Sequence, residues 1–116
     1  MSAVETAVAT YIRVFSERDP ARRAALIEAC WAENGRFVMR SREMRGRAWI
    51  AEMADRFLAD PNVLGVRVTA IDAQGTTFRF RAVTENRDGT TAEVMDAGEI
   101  DADGRIALIL TFAGPF

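Results

Sequence analysis

The chain has 116 residues, 49% apolar and 28% charged, with a formal charge of −2, which fits one ordinary globular domain with a core of its own and not a disordered chain. All 15 basic residues are arginine; the lack of lysine and histidine excludes Schiff-base catalysis, imidazole general bases and histidine metal sites. An acidic pI near 5.2 argues against a nucleic-acid surface, and the lone Cys30 has no internal disulfide partner. Proton transfer therefore falls to Asp, Glu, Tyr11, Cys30, water or a substrate group, and no metal or cofactor is expected. The longest apolar run is ALIL at Ala107 to Leu110, and no basic start leads into an apolar stretch. Neither a membrane span nor a signal peptide is expected, and a cytoplasmic address follows.

In chain order, Ser2 and Glu5 form a capping-box pattern, and Val4, Val8, Tyr11, Ile12 and Phe15 keep one helical face apolar. The pattern predicts a first helix ending near Arg18. Asp19 then Pro20 reads as an N-cap with proline at the first helical position, opening a second helix that carries Ala24, Ile27, Cys30 and Trp31 until Gly35 stops it. A short strand, Arg36 to Arg40, and the polar connection SREMRG follow. A third helix has Ile50, Met53, Ala54, Phe57 and Leu58 at i, i+3, i+4, i+7 and i+8, closed by Asp60 and Pro61. Four strands are predicted after it, at Val63 to Asp72, Thr76 to Glu85, Thr91 to Asp101 and Arg105 to Phe112, separated by turn signals at AQG, NRDG and ADG.

The order predicts a single α+β domain over residues 1–116. Three N-terminal helices pack on one face of a curved, mainly antiparallel sheet, enclosing a pocket between the two layers. On the strands Thr, Ala and Val alternate with arginines, so the far face is expected to meet a second copy of the chain as a homodimer. Trp31, Met39, Trp49, Met53 and Phe57, facing the sheet, would make the pocket aromatic and soft, suited to a ring-shaped apolar ligand.

Asp96 is the candidate of greatest chemical interest, because strand alternation places it with Val94, Gly98 and Ile100 on an apolar face. Its neighbours depend on register. An even number of loop residues at NRDG puts it beside Arg79 and Arg81, which keeps the carboxylate ionised. An odd number puts it beside Phe78 and Phe80, where desolvation raises its pKa and keeps a neutral acid available. The arginines of RSREMRGR read as a solvated loop, with an anion-binding lid as the alternative. Cys30 reads as a small buried hydrophobe, and DADG is a turn too short for a calcium-binding hand.

The segments TYIRVFSERDPARRAALIEACWAENGRF, GRAWIAEM, TFRFRAVTEN and DADGRIALILTFAG together resemble the SnoaL-like branch of the nuclear transport factor two-like superfamily. That superfamily holds polyketide cyclases, ketosteroid isomerases, epoxide hydrolases, dehydratases and proteins without known catalysis. By resemblance, Tyr11 corresponds to a pocket tyrosine that donates to an oxyanion. Asp96 corresponds to a second oxyanion donor in the isomerase branch and to the acid/base aspartate of the cyclase branch. The isomerase branch's proton-abstracting carboxylate falls on Met39, which cannot exchange a proton. The resemblance implies a cone-shaped, cystatin-like roll with a pocket for a small apolar ligand, and cofactor-independent cyclase or isomerase chemistry through Asp96 and Tyr11. The alternatives are a non-catalytic binding domain and a dimeric interaction module.

Overall fold

A computed structural model describes residues 1–114. Helix α1, Ala3–Val14, is opened by Ser2, whose side chain accepts from the Glu5 amide while the Glu5 carboxylate accepts from the Ser2 amide. It ends four residues before Arg18, because the Phe15 and Ser16 amides turn back to the Ile12 and Arg13 carbonyls and tighten the last turn. Helix α2, Pro20–Cys30, starts at Asp19 as expected, the Asp19 side chain accepting from the Ala21 amide.

The sequence reading of the next segment requires correction. Trp31 does not continue α2 but takes extended backbone (φ −114°, ψ 126°) and opens strand β1, Trp31–Met39. Gly35 is not a helix stop. It lies within β1, beside a register shift between Trp31 and Arg36, where a Cβ would stand 2.5 Å from Trp31 Nε1. The glycine leaves room for the indole. The connection expected at SREMRG contains a further strand, β2, Arg42–Arg45, which forms a hairpin with β1.

Helix α3, Arg47–Ala59, has no side-chain cap at Gly46. Instead, the Gly46 amide bonds to the Gly35 carbonyl and Arg47 Nε to the Trp31 carbonyl at 2.9 Å, fastening the helix start to β1. At its other end, Arg18 donates to the carbonyls of Leu58 and Val63, placing a cation where a helix leaves unpaired carbonyls. Strands β3, Val63–Gln74, β4, Thr77–Asn86, β5, Thr91–Ile100, and β6, Ile106–Ala113, form the meander. The sheet order is β2-β1-β6-β5-β4-β3, antiparallel throughout except for the β1–β6 pair. Shifts within β3 (Val68/Ala70) and β5 (Glu99/Ile100) bend and coil the strands.

The result is the expected α+β arrangement, three helices against a curved sheet that does not close. Among the described residues, no helix is long and apolar enough to cross a membrane. One core unites α1 (Val4, Val8, Tyr11), α2 (Ile27, Cys30), α3 (Ile50, Ala54) and the sheet (Trp31, Phe37, Phe78, Phe80, Ile109). Gly98 is essential to the sheet side of this core. A Cβ there would meet the Leu108 carbonyl oxygen at 1.9 Å and the Phe78 ring at 2.9 Å, and backbone cannot yield that distance cheaply. Gly98→Ala is expected to destabilise the fold by about 1–3 kcal/mol or more, read as a lower urea midpoint; an unchanged midpoint would refute the packing argument.

Candidate functional site

The β4–β5 ladder settles the register that sequence leaves open. Glu85 pairs with Thr91, so an odd number of residues, Asn86 to Thr90, lies between the registered strands, and Phe80 stands opposite Asp96 and Phe78 opposite Gly98. Asp96 therefore shares the inner face with Phe78 and Phe80, which are 5% and 2% exposed, and is itself only 4% exposed. Arg79 and Arg81 are carried to the outer face, where they pair with Asp72 (3.1 Å) and Glu93 (3.1 Å). The structure does not bring them to Asp96.

The polar partner of Asp96 is Thr111, directly opposite on β6, whose hydroxyl donates to Asp96 Oδ1 at 2.6 Å. Burial pushes the Asp96 carboxyl up to about 6, and the Thr111 hydrogen bond offsets part of that rise. Among the described residues, no cation counters it. Sequence reasoning missed Thr111, because pairing changes by one residue between Glu99–Leu108 and Ile100–Ile106. Counting outward from the ADG turn therefore aligns the wrong residues.

Tyr11 reaches the same interior from α1. It is 3% exposed, stacks on Trp31 (5.7 Å between centroids, 26° between planes) and meets Phe15 edge-on at 5.2 Å. Its phenol is held well above the usual range, first by burial and then by the nearby Asp96 and Cys30 charges. It is therefore a neutral donor. Cys30, pushed up to about 12 mainly by burial, is an inert thiol at neutral pH.

The aromatic residues continue the wall from Trp31 to Phe37 and from Phe37 to Trp49, while Phe57 meets Phe15 at 5.8 Å. Met53 is half-buried against the same cluster. The indole N–H groups of Trp31 and Trp49 are buried without a hydrogen-bond partner. The connection read as a solvated loop is tied down: Arg36 pairs with Glu43, and Arg42 lies 5.0 Å from the Trp49 ring centroid.

A cleft of about 1120 Å³ opens at the end of β1 and β6. From the inner face it takes Met39, Val94, Thr111 and Ala113, and from the outer face Val38, Leu110 and Phe112. Thr111 thus joins the cleft to Asp96. A smaller hollow of about 240 Å³ lies over the outer face among Ala70, Asp72, Arg79, Arg81 and Met95. The remaining expected pocket residues, Trp31, Trp49, Met53, Phe57 and Phe78, pack in or against the core cluster and line neither cavity. Among the described residues no group of three His, Cys, Asp or Glu side chains is placed to hold a metal ion.

A model of the SnoaL-like domain matches residues 8–109. The chain belongs to the SnoaL-like family. No curated protein matches this SnoaL-like chain. Among solved structures, a SnoaL-like protein from Agrobacterium tumefaciens str. C58, proposed to be an isomerase, is 27% identical with a TM-score of 0.85, over 99% of this chain and 100% of that one. SalBIII, an epoxide hydrolase/cyclase-like enzyme in pyran ring formation of the polyether salinomycin, is 20% identical with a TM-score of 0.74, covering 95% of this chain and 89% of its own. An epoxide hydrolase from M. tuberculosis is 17% identical with a TM-score of 0.70, covering 97% and 82%. At those identities the last two establish the shared fold alone.

The raised carboxyl makes stability depend on pH with a definite sign. Between about pH 4 and 6 the native state binds the Asp96 proton more tightly than the unfolded chain, so stability from this group is present at low pH and is lost as pH rises through 6. Comparing the SnoaL-like protein with its Asp96→Asn variant isolates the group. The difference in unfolding free energy is expected to move against the wild type by on the order of 3 kcal/mol over that window. A flat difference measured by urea titrations at several pH values would refute the burial argument.

Proposed function

We propose that this chain binds a small apolar, ring-shaped ligand between helices and sheet and moves a proton on it without a cofactor, in the manner of a cyclase or isomerase. The observation that carries the reading is Asp96: a carboxyl buried on an apolar wall, held by one threonine hydroxyl and matched by no cation. With its pKa raised to about 6, its proton is exchangeable near neutral pH, the range in which a general acid or base is most effective. At pH 7 the ionised form predominates, so Asp96 acts first as base and returns the proton as acid. Tyr11, kept neutral by burial, donates to the oxyanion that develops on the substrate. Met39, half-buried at the cleft, supplies no second proton site, which separates this reading from a steroid isomerase mechanism.

Trp31, Trp49, Phe78 and Phe80 form the packed apolar layer behind Asp96, with Met53 and Phe57 against it, and Met39, Val94 and Leu110 give the cleft its apolar lining. The SnoaL-like protein proposed to be an isomerase and the ring-forming SalBIII favour the same reaction class. A second reading, a dimeric binding or interaction domain in the cytoplasm, draws on the outer face, where Phe112 is 53% exposed.

Thermal-shift screening of cyclic ketones and polyketide-like rings is expected to yield ligands that stabilise the protein. For a compound that turns over, Asp96→Asn should abolish turnover while preserving fold and binding, and Tyr11→Phe should slow it about a hundredfold. An Asp96→Asn variant with undiminished turnover, or a screen in which binders are never converted, would favour the non-catalytic reading.

A further inference from the structure

Among the described residues, Thr111 is the one whose side chain both hydrogen-bonds to Asp96 and lines the cleft. Its hydroxyl sits 2.6 Å from Asp96 Oδ1, and the residue shares the cleft wall with Met39, Val94 and Ala113. We propose that Thr111 is the positioning residue of Asp96, that the ligand arrives through the β1/β6 cleft, and that it presents a hydroxyl to Thr111. This rests on Asp96 being the proton-handling group, and it adds the side of approach and a ligand class.

The ligand chemistry follows from counting hydrogens. A threonine hydroxyl carries one hydrogen and two lone pairs, and the hydrogen is committed to Asp96 Oδ1. Toward the cleft, Thr111 Oγ1 is thus an acceptor only, and its complement is an O–H donor, an alcohol or enol, that the ligand carries in addition to any ketone group. On its own face the wall beside it, Met39, Val94 and Ala113, is apolar, while Arg40, Ser41, Arg81 and Glu93 line other parts of the cleft; the apolar wall suits a hydroxyl carried on a hydrocarbon ring. With Oδ1 engaged by Thr111, proton exchange at Asp96 falls to Oδ2. The other titratable groups packed near Asp96 are Tyr11 from α1 and, beside Tyr11, Cys30 from α2. Both are neutral at pH 7, and β4 contributes only Phe78 and Phe80 to that face.

The test uses the full chain, with 2-naphthol as the donor probe and 2-methoxynaphthalene as its counterpart lacking the donor. NMR titration is expected to show 2-naphthol shifting Met39 and Val94 signals and binding about fivefold more tightly, the worth of one hydrogen bond. Thr111→Val should abolish that preference and raise the Asp96 titration midpoint, while Thr111→Ser restores both; Thr111→Ala replaces the valine variant if that one does not fold. A preference that survives Thr111→Val, or no naphthol binding at millimolar concentration, overturns the ligand class. A raised wild-type Asp96 midpoint that Thr111→Val leaves in place overturns the positioning role alone. A wild-type midpoint at or below the ordinary carboxylate range instead sinks the proton-transfer reading beneath it.

Discussion

The register of the β4–β5 hairpin governs the rest of the interior. Because side chains alternate strictly, a one-residue slip would turn Phe78, Phe80 and Ala82 outward and bring Arg79 and Arg81 to the face now occupied by Asp96. Burying two phenylalanine side chains contributes roughly 3–6 kcal/mol, whereas holding one carboxyl in the same dry layer costs on the order of 3 kcal/mol when it is ionised. The apolar residues win, and Asp96 is carried inward with them. Its perturbed acidity is a consequence of a ladder whose stability lies elsewhere, and the cost of burying the carboxyl falls away when the proton is bound.

The arginines complete this arrangement by where they are used. Arg18 bonds the end of α3, Arg105 the Glu28 carbonyl near the end of α2, and Arg47 the Trp31 carbonyl. Arg23, 6% exposed, joins the Glu17 carbonyl to Asp55 of α3. A planar guanidinium with five donors can satisfy carbonyls at two places at once, so a chain without lysine fastens its helices through arginine. Those on β4 spend their charge on Asp72 and Glu93 outside. Among the described residues no guanidinium pairs with Asp96, and desolvation is left to set its acidity.

The same alternation explains which parts of the structure were legible in the sequence. Helix starts at Ser2 and Asp19 and the end at Asp60–Pro61 were readable because capping and proline geometry are local. The meander was readable because turn residues and β-branched runs recur. What escaped depends on partners far away in sequence. Trp31 leaves α2 because β6 pairs with it, and β2 exists because β1 offers it an edge; neither signal lies within the segment itself. Asp96 was recognisable as a carboxylate on an apolar face, but its neighbours hinged on the parity of one loop, and Thr111 on a shift beside Ile100. Resemblance brought Tyr11 and Asp96 together; only the folded sheet separates Phe78 and Phe80 from Arg79 and Arg81.

Burial acts on three interior acids at once and sorts them. Tyr11 rises well above its ordinary range, Cys30 rises to about 12 and Asp96 to about 6. Only the last crosses into the range where protons are exchanged at physiological pH. The charge on ionised Asp96 is also one of the causes that hold the Tyr11 proton in place, after burial. Burial, the larger cause, keeps the phenol a donor in either state of the carboxyl. On the proposed reading this supplies, without histidine, lysine or metal, the two roles that enolisation requires: a base for the proton and a donor for the oxygen that gains charge as it leaves.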